Sequence, residues 1–183
     1  MKKIFLILLA VFPMFINAQS GCNFFDFRKL EIEKTNLNTT QIDFGPAFVE
    51  DELWFSAFTD EEIRRLAKGD NKDIFYNLYN LKTDEEGNVT GPKNVQFEAI
   101  SAGFHAGPVS YCKKTQELFV TLSNFDNPEI KNNVYQKANI RLKIIITKKN
   151  NGVWTVTEEF PFNDPAYSVG HPTISVTGDT LFF

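Results

Sequence analysis

The residues of this 183-residue chain that could do chemistry are few: two histidines, two cysteines and some short acidic runs. His105 and His171 stand three and one residues before Pro108 and Pro172. As a pair they would line one end of a channel and share a metal ion. As separate loop residues they would instead satisfy backbone groups. A stable metal site wants a third ligand at matching spacing, and the sequence supplies none. No metal ligand and no cofactor is therefore assigned. Asp84-Glu85-Glu86-Gly87-Asn88 has the acidity of a calcium loop but lacks its alternating Asp/Asn ligands and closing glutamate, so it reads as a hairpin turn. Asp126-Asn127-Pro128-Glu129 could offer oxygens to a cation, as any polar loop could. Glu158 and Glu159 are adjacent. In a strand neighbours point to opposite faces, so the two carboxylates cannot flank one glycosidic bond. No Gly-x-Ser-x-Gly elbow signals a serine nucleophile. No catalytic residue is assigned, and the chain is read as a non-enzyme.

The elements that would position these residues come from a repeat. Gly45-Pro46-Ala47-Phe48 with Leu53-Trp54-Phe55, Gly107-Pro108-Val109-Ser110 with Leu118-Phe119-Val120, and His171-Pro172-Thr173-Ile174 with Leu181-Phe182-Phe183 are three copies of one phrase. The prolines stand 62 residues apart (46 to 108) and then 64 (108 to 172). A fixed period of this size marks a stacked architecture, whose single unit cannot bury its own apolar faces. Within each unit the phrase forms one hairpin, turning at Lys113–Gln116 in the second copy and at Thr177-Gly178-Asp179 in the third. A second hairpin follows. Its first strand is the apolar run Ile74–Leu81 or Ile140–Ile146. The turn is Asp84–Asn88 or Lys149-Asn150-Asn151-Gly152, and an extended run near Val95–Ile100 or Val153–Phe160 closes it. Asn151-Gly152 suits a type I′ turn, which needs two residues of positive φ. Trp154-Thr155-Val156-Thr157 alternates as a half-buried strand should. The prolines are expected to open their strands, where a missing N–H costs no ladder bond.

Two hairpins per unit give four antiparallel strands, the content of a β-propeller blade. The alternative is a β-sandwich in which the phrases coincide by chance; recurrence in register favours the propeller. The fold expected is all-β: a partial propeller of two four-stranded antiparallel blades plus the first strands of a third. Nineteen phenylalanines, most in or beside the proposed strands, agree with that class. Helix signals are confined to Asp60–Gly69, with acids first and a glycine stop. This segment and Asn124–Asn139 occupy the same slot in their units and read as polar insertions at one end of a blade, where contact surfaces usually lie.

Lys2 and Lys3 precede an apolar run from Ile4 to Phe15, and Ile16-Asn17-Ala18 ends in a small residue. This is a secretory signal over 1–18, its run too short to span a bilayer, which needs about 20 residues. No later segment is apolar enough, so the mature chain is expected to have no transmembrane span. Without Lys2 and Lys3 it holds 17 basic and 23 acidic residues, a net charge of −6, which argues against nucleic acid as partner. Lys113-Lys114 is too short a basic run to change that. Cys22 follows Gln19-Ser20-Gly21, small residues like those of a lipoprotein cleavage site but without its apolar position. Beside lipidation of Cys22 stands the plainer reading of a free or paired cysteine. An exported chain permits a Cys22–Cys112 bond, which sequence cannot fix. The segment 19–43 is read as a linker whose Leu30–Ile32 forms a ring-closing strand. Residues 44–104 are the first blade, 105–168 the second and 169–183 the start of a third, cut off by the last residue.

The phrases Asp43–Phe48, His105–Val109 and above all Tyr167–Ser175 with Gly178–Phe183 resemble the TolB-type, WD-repeat-like propeller of OmpA-family envelope proteins from the Bacteroidetes. The third is the most specific, a Pro-x-x-Ser turn closed by Gly-Asp and an aromatic strand. Val49–Glu52 and Lys113–Gln116 depart from it. The resemblance implies an exported protein of the periplasm or outer membrane that acts by binding other envelope proteins. It also implies a downstream peptidoglycan-binding module that lies outside this chain, of which 1–183 would be the amino-terminal piece. The alternative function is a substrate-gating propeller of an exported prolyl-oligopeptidase-like hydrolase. A serine elbow beyond Phe183 would favour it.

Overall fold

The computed structural model describes residues 40, 42–70, 74–84, 88–97, 104–123 and 140–183. The signal expected over 1–18, the strand proposed at Leu30–Ile32, Cys22 and the insertion expected at 124–139 lie outside the described residues. Of those described, 50% are in strands and 7% in helix, so the all-β expectation holds. Strands β1 (Phe44–Val49), β2 (Glu52–Ala57), β3 (Asn77–Lys82) and β4 (Asn94–Gln96) form one sheet. A second holds β5 (Ala106–Cys112), β6 (Glu117–Ser123), β7 (Leu142–Asn150) and β8 (Val153–Glu159). Both are antiparallel meanders in sequence order, and β9 (Thr173–Ile174) with β10 (Leu181–Phe182) makes a separate hairpin. Two four-stranded sheets and a further hairpin are what the repeat calls for. Among the described residues no sheet closes on itself.

Hairpin registers align the units. Val49 pairs with Glu52 and Cys112 with Glu117 at the turn ends, so Leu53, Trp54 and Ser56 correspond to Leu118, Phe119 and Thr121. In the third unit Leu181 and Phe182 take the first two of these places, Leu181 pairing with Ile174. The packing follows the alignment. Trp54 and Leu78 of the first sheet meet Leu118, Val120 and Ile145 of the second in one buried cluster. Phe119, Ile144 and Ile146, on the opposite face of the second sheet, meet Ile174 and Leu181 of the hairpin. Leu118 and Leu181 thus each face the layer before them, while Trp54 and Phe119 each face the layer after. The layers repeat in one sense rather than meeting as mirror faces. Both faces of the central sheet are covered, which is why its middle strands read Leu-Phe-Val-Thr-Leu and Ile-Ile-Ile rather than alternating.

Aromatic rings fill the joint between the two sheets. Trp54 is fully buried, Trp154 is edge-on to it at 5.9 Å, and Phe97 and Tyr111 complete the group. Burying roughly 200 Å² of one such ring contributes up to about 5 kcal/mol at 25 cal/mol per Å². The Trp54 indole N–H is satisfied by Glu52 at 3.2 Å. Glu52 also accepts from Asn80 at 2.7 Å, and Asn80 in turn accepts from Gln96. Hydroxyls at corresponding positions pin the layers. Ser56 donates to the carbonyl of Ala106 at 2.9 Å, and Thr121 accepts the amide of His171 at 2.9 Å.

Two of the three prolines do not open their strands as expected, while Pro172 immediately precedes β9. Pro46 and Pro108 stand third in β1 and β5, inside irregularities where the register shifts between residues 44 and 47 and between 106 and 109. The preceding residue has positive φ in all three units: 66° at Gly45, 99° at Gly107 and 56° at His171. A bulge leaves one residue out of the ladder, so the missing proline N–H costs nothing there. The fourth strand of the first sheet also departs from expectation. It ends at Gln96, because Phe97 takes a φ of 61° and turns its ring into the cluster with Trp54; residues 98–100 of the expected run lie outside the described residues.

Local chemistry explains the remaining elements. Asn151 and Gly152 close β7–β8 with φ of 50° and 82°, the I′ pattern. Helix α1 (Asp60–Ala67) starts with a capping box: Thr59 accepts the Glu62 amide at 3.1 Å and Glu62 accepts the Thr59 amide at 2.8 Å. In the third hairpin Asp179 accepts from the hydroxyls of Ser175, Thr177 and Thr180. These hold its carboxyl below the usual range.

Candidate functional site

The first strand of every unit, β1, β5 and β9, runs to the same end of the stack, and a cleft opens there. It consists of two adjoining depressions of about 420 and 510 Å³ that share Phe48, Tyr111 and Lys113. Alternation along β5 explains the lining. Val109 and Tyr111 lean toward the first sheet, while Ser110 and Cys112 lean toward the third-unit hairpin. The wider depression is walled by Glu50 and Gln116 of the hairpin turns, the other by Cys112, Ile174 and Gly178. Phe48 is 65% exposed and lines both depressions.

Electrostatics here are mixed. Glu50 and Lys149 pair at 2.8 Å, bridging the β1–β2 turn to β7 of the other sheet. The Glu50 hydrogen bond holds the Lys149 ammonium above its usual range, and its Nζ stands 5.8 Å from the Trp154 ring centre. The Tyr111 hydroxyl is buried with no hydrogen-bond partner among the described residues. Burial, with Glu50 nearby, pushes this phenol up. Cys112 is a free, buried thiol at the end of β5. Burial works to raise it, but hydrogen bonds from Thr115 and from the amides of Lys114 and Thr115 bring it below its usual value. The Thr115 hydroxyl also donates to Glu117 at 2.6 Å, so its one proton serves one of them at a time. An aromatic wall, an unpaired phenol and a lining that sets Lys113 and Lys114 against Glu50 and Asp51 suit recognition of a polar segment carrying an apolar side chain.

The residues singled out from sequence do not converge on this cleft. His105 lies at the entry to β5, its Nδ1 accepting the Tyr76 amide at 3.1 Å and its ring against Phe75 and Tyr76. Burial depresses its pKa, partly offset by Glu62. His171 is exposed and contributes its backbone amide to Thr121. Each thus serves local structure, and among the described residues no group of three His, Cys, Asp or Glu could hold a metal ion. Asp84 accepts the Asn88 amide at 2.7 Å, and residues 85–87 lie outside the described residues. Glu159 pairs with Lys143 at 3.0 Å. Residues 126–129 lie outside the described set. Phe48, Tyr111 and the Glu50–Lys149 bridge escaped the sequence reading. Glu50 and Lys149 are 99 positions apart and no local pattern links them; only the repeat alignment of β1 with β5 would have brought Phe48 beside Tyr111.

The chain matches no protein-family model, no curated protein and no solved structure. No helix among the described residues is long and apolar enough to cross a membrane.

Proposed function

We propose that this chain is a propeller-type interaction module of an exported cell-envelope protein. It works by holding other envelope proteins rather than by catalysis. One observation carries the reading: successive antiparallel units stack in one sense, each with a positive-φ residue followed by proline in or just before its first strand. Blades of a propeller are related in that way, whereas the two halves of a sandwich need not be. The signal-like start over residues 1–18 supports export. The cleft at the ends of β1, β5 and β9 is where the partner is received, because loop ends carry the contact surfaces of such scaffolds.

The test places a photo-crosslinking amino acid at Phe48 in the cleft, or at Val156 on β8, in cells expressing the chain. A discrete adduct with an envelope protein is expected from position 48 and not from 156. Cytoplasmic retention of the chain with residues 1–18 still attached would defeat the reading. So would equal crosslinking at both positions.

A further inference from the structure

His105 ties the two four-stranded sheets together at the end of β5 away from the cleft. Its Nδ1 accepts the Tyr76 amide at 3.1 Å, and the Tyr76 carbonyl accepts the Ala106 amide at 2.9 Å. On the other side the His105 amide donates to the Ser123 hydroxyl at 3.0 Å, and the His105 carbonyl accepts the Ser123 amide at 3.0 Å. One residue thus joins the lead into β3 of the first sheet to the end of β6 in the second. Tyr76 spreads the tie further. Its ring is stacked on Phe58 at 4.1 Å, just ahead of α1, and edge-on to Phe44 of β1 at 4.9 Å. A donor at Nδ1 requires the neutral imidazole with its proton on Nε2. Charged groups around the ring are sparse. Among the described residues Glu62 of α1 acts on it, Asp43 acts on Tyr76 behind it, and β6 presents the uncharged Ser123. Glu62 already accepts from the amides of Thr59 and Phe75 and from the Asn77 side chain.

We propose that His105 is an acid-released latch: a proton on its Nδ1 unhooks residues 74–77 and α1 from the second sheet while both sheets stay folded. That proton would face the Tyr76 N–H, donor against donor, and the bond between them cannot survive it. The imidazolium then has two courses. Turned to water, it leaves the half-buried Tyr76 amide without an acceptor, which is costly. Turned to Glu62, it makes that carboxylate release one of its three donors, each of which secures the start of α1 or the lead into β3. Both courses loosen the same segment. Burial favours the neutral ring while the latch is closed, so the opened form takes the proton more readily. Between the closed pKa and the ordinary value of about 6.5, opening binds one proton, and the opened population grows up to about tenfold for each pH unit of acidification. The joint of Trp54, Leu118 and Ile145 is apolar and indifferent to pH over this range. The latch lies at the other end of β5 from the cleft and does not depend on a partner there.

The experiment follows amide hydrogen exchange of the whole chain by NMR between about pH 7.5 and 5, each rate divided by the intrinsic rate at that pH. The imidazole signals are titrated in the same samples, and the one missing from His105→Gln belongs to His105. Protection of the Phe75, Tyr76 and Ala106 amides is expected to fall about fivefold or more by pH 5.5, where an ordinary imidazole permits about tenfold. The amides of Phe119, Val120 and Thr121, in a strand paired on both edges, should hold within about twofold. His105→Gln offers an acceptor but no titrating nitrogen, so protection of Tyr76 should not vary with pH in that variant. Constant Tyr76 protection in the unaltered chain would overturn the proposal, as would an equal fall in His105→Gln or an imidazole that stays neutral throughout. An equal fall at Phe119–Thr121 would overturn it in favour of whole sheets unfolding. Should His105→Gln fail to fold, the comparison of Tyr76 with Val120 in the unaltered chain decides alone.

Discussion

Gly107 shows how much one missing side chain can decide. Its φ is 99°, and a Cβ there would collide with the Ser56 hydroxyl of the neighbouring sheet. Gly152 has a φ of 82° with nothing within 4 Å of the same atom. The pair separates two costs of alanine. Gly152→Ala should lose only the left-handed strain, about 1–2 kcal/mol. Gly107→Ala should lose that plus the Ser56–Ala106 bond and the layer spacing, roughly 3 kcal/mol or more. Urea denaturation of both variants checks this, and equal losses would show that the close approach is unimportant. Trp154 sits among Trp54, Phe97, Tyr111 and Lys149, and Trp154→Ala should cost about 3–5 kcal/mol. A loss under about 1 kcal/mol would mean the ring does not hold the joint. His105 gives a pH dependence with a definite sign. Its folded pKa lies below the unfolded value of about 6.5. Between the two the unfolded chain holds a proton that the folded one does not, so stability present above pH 6.5 is lost as pH falls toward the folded pKa. Protonation also removes the acceptor of the Tyr76 amide. Urea midpoints at pH 7.5 and 5.5 should fall on acidification, and less so in His105→Gln.

Elements were legible where local chemistry has a period or a punctuation mark. The β7–β8 hairpin follows from Asn151-Gly152 and the alternation after it, and the third hairpin from Gly178-Asp179. Helix α1 is short, and its start is fixed by Thr59, one position ahead of the acids that mark it in sequence. Thr59→Ala should therefore cost about 1 kcal/mol. Helical circular dichroism and the urea midpoint would register it, and no change would mean that tertiary contacts alone hold the helix. β4 does not continue through Phe97, although Val95-Gln96-Phe97 reads as continuous. Its end depends on Phe97 reaching Trp54, a contact between distant segments that no window of sequence contains. Two of the prolines were misplaced for a similar reason. A bulge is a relation between two strands, visible only once the partner is known.

For the molecule, the number and order of strands came from the repeat, and the sense of stacking came from coordinates. The cleft was not legible because it is built where three units meet, from residues that are ordinary in each. The layered arrangement predicts a gradient of protection. Amides of β6 and β7, covered on both faces, should exchange slowest, and those of β9 and β10 fastest. Uniform exchange rates across the strands would mean that the layers open together as one unit.

Ser56 and Thr121 bear on the mechanics of the stack. Oily contacts resist prying apart but scarcely oppose gliding, since one aliphatic neighbour serves as well as the next. A hydroxyl bond is directional and is lost within an ångström of travel. These two side chains therefore behave as shear pins. A chain lacking both would keep its oily joints yet slip more easily along the strands, and the orphaned Ala106 carbonyl and His171 amide would lower its urea midpoint as well.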